Sequence, residues 1–292
     1  MLIDVHTHIG QVRPRPECIL DVDNLLRKMD AWNIDRSCVL PLSEFPDPNY
    51  RDSTTEDILA ACSCHPDRLT PFCLIDPRIS SNNPEKVFRD RLANYTDRGC
   101  KGLGEFLPDI PFDDPCCIDL YCLAGEYGLP VLFDLHDVPG EYGLLDSPGL
   151  PCLEHALRTC TDTVFIGHGL TFWSEASGDV MASERVGYPF PTGPVKPGGA
   201  MPRLMATYSN LWADISAGSG LNALRRDAAF GIEFLNTFQD KILFGTDSCQ
   251  RFEAEPMCPN RELLRRIRDE CLLDEHTCAK IESENARRLF GI

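Results

Sequence analysis

MLIDVHTHIG, residues 1–10, decides how the rest of the chain is read. A short apolar run leads straight into His6-Thr7-His8, two of only seven histidines in 292 residues. Residues i and i+2 of a strand face the same way, so a strand ending here presents both imidazoles on one side of its C-terminal end. Alone, the pair also fits a turn carrying two solvated histidines, since His is common at surfaces. A doubly wound open sheet carries a glycine fingerprint after its first strand. This chain has histidines there instead.

Runs of the same kind recur downstream: DRSCVLPL (35–42), LTPFCLID (69–76), KGLGEF (101–106), PVLFDLH (130–136), TVFIGH (163–168), LWADIS (211–216) and KILFGTD (241–247). Continuous apolar runs of this length suit parallel strands buried on both faces. Helix-length segments separate them. Residues 20–33 carry Leu25, Leu26 and Met29 on one face, and Asn260 is expected to cap a helix over 261–273 with Leu263, Leu264, Ile267 and Cys271 as its stripe. Eight strand–helix units predict an α/β fold, a (β/α)8 TIM barrel, with the active site at the strands' C-terminal ends. No internal repeat or linker marks a second unit, so residues 1–292 are expected to form a single domain. The Gly- and Pro-rich stretch between His168 and Leu211 breaks the rhythm. It reads as a long loop over the site with a late helix near 201–208, and Phe172, Trp173, Tyr188 and Phe190 are its candidates to cover a substrate.

Composition narrows the partners. Hydrophobic content of 43% and charged content of 25% are those of a soluble globular chain. A net charge of −17 argues against non-specific binding to nucleic acid or to anionic membranes. No apolar run reaches membrane-spanning length, and the first strand begins without a basic, then apolar leader. The 15 cysteines include no Cys-x-x-Cys, and most sit in apolar stretches as small core residues, which suits a reducing cytoplasm. The expected partner is a small-molecule substrate, with a homo-oligomer left open.

The polar residues fall where a barrel needs them for chemistry. His6 and His8 end strand one, Glu105 strand four, Asp134 and His136 strand five, His168 strand six, Ser216 strand seven and Asp247 strand eight. Barrel interiors are filled with branched apolar side chains, so polar groups gathered at one end of six strands point to a site. Imidazoles and carboxylates together suit a divalent metal, zinc first, with manganese or iron as alternatives. His65, His155 and His276 lie on helical segments away from the strand ends and read as solvated.

HxH at the N-terminus, IGHG at strand six, FGTD at strand eight and ENARRLFG at the C-terminus resemble the amidohydrolase superfamily. The nearest branch resembles the amidohydrolase 2 group, which includes aminocarboxymuconate-semialdehyde decarboxylase-like enzymes, resorcylate decarboxylases and dicarboxylate lactonases. By that resemblance His6 and His8 match the strand-one metal ligands. Asp247 matches the strand-eight aspartate that binds metal and takes a proton from the attacking water. His168 matches a histidine that binds a second metal in some branches and polarises substrate or transfers a proton in others; the latter is favoured here. Strand five departs from the pattern, for relatives place a histidine where PVLFDLH has Asp134. Either His136 replaces that ligand one pleat higher, Asp134 binds as a carboxylate, or the position has lost the role; His136 is preferred. Glu105 can bridge two metals, bind one, or contact substrate, whereas Lys101 begins its strand and is poorly placed for a carboxylated bridge.

These residues predict metal-assisted hydrolysis of an amide, ester or lactone. A metal on imidazoles and a carboxylate makes hydroxide available near neutral pH, Asp247 accepts the proton, and His168 polarises the scissile carbonyl. The alternative is non-oxidative decarboxylation of a hydroxyaryl or unsaturated dicarboxylic acid. It would want cations near the metal, and Arg13, Arg15, Arg51 and Lys196 are the candidates.

Overall fold

The computed structural model describes residues 1–12, 19–45, 47, 50–136, 143–180, 190–250 and 258–292, apart from the His136 side chain. Eight strands recur at the expected places: β1 Ile3–Thr7, β2 Arg36–Val39, β3 Leu69–Pro71, β4 Leu103–Phe106, β5 Val131–His136, β6 Phe165–His168, β7 Leu211–Asp214 and β8 Ile242–Leu243. Each neighbouring pair within β1–β3 and within β4–β8 is parallel. Two further sets of bonds close the ring. Cys73 N–H donates to Gly102 O at 3.0 Å, and Gly104 N–H returns to Cys73 O at 2.9 Å, joining the β3 side to β4. Val5 N–H donates to Phe244 O at 3.0 Å and His8 N–H to Ser248 O at 2.9 Å, joining β1 to the β8 side. The architecture is a (β/α)8 barrel. Two short strands, Pro108–Pro111 and Gly143–Leu145, pair with each other, and the second extends the sheet beside the end of β5.

The helices form for local reasons. Asp21 accepts the Asn24 N–H to start Val22–Trp32, whose Leu25, Met29 and Trp32 are buried. Thr54 and Asp57 make a reciprocal capping box ahead of Thr55–Cys64. The expectation for Asn260 needs correcting. The helix runs Pro259–Asp269 with Pro259 in its first turn, where a missing N–H costs nothing. Asn260 lies inside it and donates its amide to Ile215 O and Ala217 O, so its side chain anchors the helix to the chain after β7.

Ile3, Val5, Cys38, Leu40, Phe72, Leu132, Ile166, Trp212 and Leu243 form one cluster inside the ring, completed by Ala286 and Phe290 of the last helix. The Phe290 ring lies 5.3 Å from that of Phe72, and Asn285 Nδ2 donates to Ile242 O at 2.8 Å. ENARRLFG therefore packs against Phe72, just past β3, and against the start of β8. A second, larger cluster lies between strands and helices. Eight of the described cysteines are buried, as expected of small apolar residues. Among the described residues no helix is long and apolar enough to cross a membrane.

The described part of the segment after β6 is irregular over 175–180 and 190–199, as a loop would be, but it does not begin as one. It turns at once into the helix Gly169–Ser174, and the late helix is Ala200–Thr207. Phe172 and Trp173 are fully buried in the first of these, against the barrel. They are core, and do not cover the mouth. Tyr188 lies outside the described residues, and Phe190 packs where a side chain at Gly218 would stand.

Candidate metal centre

His6 and His8 point to the same place, as their alternation predicts. Their Nε2 atoms are 3.1 Å apart, and both residues are fully buried. The other nitrogens are engaged: His6 Nδ1 lies 2.7 Å from Asp214 Oδ2, and His8 Nδ1 lies 2.9 Å from Leu40 O. A carbonyl only accepts, so His8 Nδ1 carries a hydrogen; an ionised Asp214 imposes the same on His6. In the neutral tautomers, both Nε2 lone pairs face one point.

Two carboxylates meet them there. Glu105 Oε2 is 3.3 Å from His8 Nε2 and 3.6 Å from His6 Nε2. Asp247 Oδ1 is 3.4 Å and 3.7 Å from the same atoms. Two opposed lone pairs and two carboxylate oxygens this close repel one another unless a proton or a cation lies among them. The donor set suits a divalent cation, and the ligand atoms of His6, His8 and Asp247 lie close enough together that they could hold one.

Asp247 owes its position to the first strand. β8 was expected to run through 241–247, yet its ladder with β7 covers only Ile242–Leu243. Asp4, buried in β1, explains the early end: its Oδ1 accepts Thr246 N–H at 2.9 Å and its Oδ2 accepts Thr246 Oγ1–H at 2.6 Å. Asp247 N–H then donates to His6 O at 2.8 Å. Its φ of 58° is left-handed, a conformation that Asp tolerates better than most residues. The carboxylate is thereby turned toward the histidines and stays 26% exposed to the mouth.

His168 completes the centre on the far side. Its Nε2 lies 3.9 Å from Asp247 Oδ2, while Nδ1 lies 2.9 Å from both Asp214 Oδ1 and Ser216 Oγ. Asp134 is the register partner of His168 across β5 and β6. With Glu105, these two form a second cluster of converging ligand atoms. The glycine after His168 is required: at φ 87°, a side chain there would sit 1.6 Å from Asp134 Oδ1.

Sequence reasoning missed Asp214. It is wholly buried, and its two oxygens serve two imidazoles. The signal was an acid inside the apolar run LWADIS, which a barrel strand accepts only if partners surround it. Ser216, the residue noted there, does join the network, with Oγ 3.0 Å from Asp214 Oδ1. The His136 side chain, Arg13 and Arg15 lie outside the described residues. Arg51 donates to Gln11 Oε1 at 2.8 and 3.0 Å, and Lys196 lines an outer groove with Phe230 and Phe234. His155 is exposed and reaches Asp113 at 3.0 Å, and His276 is exposed on the last helices.

The charges explain each other. Burial works against charged imidazoles, but Asp214, Glu105 and Asp247 overcome it and raise His6 and His8 to about 10. His168 rises to about 9, with burial opposing and Asp214 dominating the gain. Burial resists the Glu105 and Asp214 carboxylates too, yet the histidines hold both well below the usual range. Asp134 goes the other way: burial, with the charge of Glu105 beside it, pushes it to about 8.

The chain matches the amidohydrolase family over residues 3–292 and belongs to it. Among curated proteins none matches. The barrel is similar to that of an amidohydrolase from Burkholderia multivorans with bound zinc, at 13% identity and TM-score 0.66, covering 100% of this chain and 99% of that one. A putative 2-pyrone-4,6-dicarboxylic acid hydrolase from Pseudomonas putida is 16% identical with TM-score 0.64, covering 99% and 97%. A 5-carboxyvanillate decarboxylase from Sphingomonas paucimobilis is 15% identical with TM-score 0.61, covering 100% and 99%. The family is one of enzymes, and both hydrolase and decarboxylase names occur on this fold.

Proposed function

We propose that the chain is a metal-dependent hydrolase acting on an amide, ester or lactone bond of a small molecule. The observation that carries this is the meeting of His6 Nε2 and His8 Nε2 at 3.1 Å, with Asp247 and Glu105 beside them. His6, His8, Glu105 and Asp247 would hold the cation, with His136 from β5 as the further ligand. Zinc is the first choice, as on the relative from Burkholderia multivorans, and manganese or iron are the alternatives. When bound, a divalent cation supplies Lewis acidity at the centre. Asp247 takes the proton of the attacking water and passes it to the leaving group. His168, held at Nδ1 by Asp214, would donate from Nε2, when that nitrogen carries a proton, to the oxygen that gains charge. Leu40 O and Asp214 keep both strand-one rings from turning.

Decarboxylation of a hydroxyaryl or unsaturated dicarboxylic acid is the second reading. A protonated His168 close to the acids could deliver the proton that replaces the departing carboxylate, and a fold relative bears a decarboxylase name. Zinc-loaded protein offered a panel of lactones, esters, amides and hydroxybenzoates tests both. Acid release that EDTA abolishes supports hydrolysis, and CO2 release without ester or lactone turnover contradicts it.

A further inference from the structure

Ser216 stands where a serine has an ordinary task, and it does not perform it. It is the N-cap of the helix Ala217–Arg225, a position whose hydroxyl normally accepts an N–H of the first turn, yet it makes no such bond. Its Oγ turns the other way, into the metal centre. It lies 2.9 Å from His168 Nδ1, 3.2 Å from His6 Nδ1 and 3.0 Å from Asp214 Oδ1. A hydroxyl has one hydrogen and two lone pairs. The hydrogen goes to the Asp214 carboxylate, and the lone pairs face the two Nδ1–H groups. The residue is fully buried, so this assignment uses its whole bonding capacity inside the centre. Each of these imidazoles therefore meets two acceptors at Nδ1, which holds its Nε2 toward the other ligands.

The hydroxyl keeps this aim because the chain around it is tied down. Ala217 has a φ of 56°, a left-handed conformation that residues other than Gly, Asn and Asp rarely adopt. Asn260, 3% exposed in the first turn of the helix Pro259–Asp269, spans the turn. Its Nδ2 donates both to Ile215 O and, at 3.0 Å, to Ala217 O. The carbonyls on either side of Ser216 are thus fixed by one side chain. Two glycines give the turn its room. A Cβ at Gly245 would stand 2.9 Å from Ser216 Cβ, and one at Gly220 would stand 2.7 Å from the Ile215 carbonyl carbon.

We propose that Asn260 is a positioning residue of the metal centre and acts through Ser216. It fixes the turn that aims Ser216 Oγ at His6 and His168. It has no such hold on His8, whose Nδ1 is on Leu40 O. The inference rests on the reading of these residues as a metal centre and adds to it a residue from outside the barrel strands.

Exchange of the histidine Nδ1–H protons with water, followed by NMR on protein carrying nitrogen-labelled histidine, tests the path. Asn260→Ala and Ser216→Ala should each speed exchange at His6 and His168 about ten-fold and leave His8 unchanged, with the circular dichroism of wild type. A merely loosened fold would speed all three, and that result would contradict the proposal. Each variant should also weaken zinc binding about ten-fold in competition with a chromogenic chelator. The double variant should bind zinc no more weakly than the poorer single one, because both substitutions remove the same link. Should Asn260→Ala not fold, Asn260→Ser keeps one donor and is expected to show the same pattern in smaller measure. Exchange at His6 and His168 that is indifferent to Asn260, or a double variant whose loss is the product of the two single losses, overturns the proposal. Exchange that responds as stated in a protein that binds no zinc sinks the metal reading and leaves the positioning standing.

Discussion

His6 Nδ1 and Asp214 Oδ2 stand 2.7 Å apart in a fully buried, charge-assisted hydrogen bond. The His6 ring cannot turn without breaking it, and so Nε2 is the nitrogen left to face His8. The other oxygen of Asp214 holds His168 in the same way at 2.9 Å. One side chain thus sets the orientation of two imidazoles.

Replacing Asp214 with Asn should preserve the barrel and weaken the centre. An amide can accept from only one of the two rings and offers the other an N–H where an acceptor is needed. Zinc affinity or activity should fall about 10–100-fold, the usual cost of losing a group that orients a metal-binding imidazole. Zinc competition with a chromogenic chelator reads the affinity. Unchanged affinity and rate would remove Asp214 from the account.

Asp247→Asn should lower kcat far more than it raises KM. The amide fills the same space but cannot take a proton, so the loss belongs to the transition state. Steady-state kinetics on any substrate found in the panel decides. A rise in KM alone would make Asp247 a binding group and the mechanism wrong.

The metal-free protein should lose stability as pH rises. Burial pushes Asp4 to about 7 and Asp134 to about 8, against 3.8 in an unperturbed chain. Burial opposes the charged imidazoles, but their acid partners raise His168 to about 9 and His6 and His8 to about 10, against 6.5. All five hold their protons to higher pH when folded; above about pH 6, where the carboxylates of the unfolded chain have already lost theirs, the folded state therefore binds more protons than the unfolded one, up to about pH 10. The carboxylic acids' contribution is lost as pH rises through about 7–8, and the imidazoles' through about 9–10. In EDTA the Tm should fall between about pH 6 and pH 9. Zinc needs deprotonated imidazoles, so its stabilising increment should grow over the same interval. A metal-free Tm that rises with pH would refute the charge assignment.

Much of this was legible before the fold was known. Strands buried on both faces appear as unbroken apolar runs, so β1 to β7 and the residues at their ends stood out. β8 was overextended because its apolar pattern continues to Phe244, while Asp4 pulls Thr246 out of the ladder from 242 residues away. Phe172 and Trp173 looked like loop aromatics because their helix has six residues, too few for periodicity to register. Asp214 stayed hidden because its meaning depends on two histidines from other strands. Asn260 had a capping residue's chemistry, and tertiary contacts claimed its side chain.

Strand five needs its own test. The proposal that His136 is the further ligand predicts that His136→Ala loses most of the zinc, while Asp134→Asn keeps it with at most about a 10–100-fold loss of affinity. Asp134 is the competitor, since it pairs in register with His168 and clusters with Glu105. Metal analysis of the two purified variants ranks them. The reverse ranking would give the position to Asp134.

The central claim is that His6 and His8 jointly hold a divalent cation on which activity depends. Metal content of the His6→Ala, His8→Ala double variant, purified with zinc present and then dialysed, tests it most directly. Wild-type protein should retain zinc in stoichiometric amount, and the double variant should retain almost none, with unchanged circular dichroism and no turnover. A folded double variant with wild-type zinc content and rate would contradict the account.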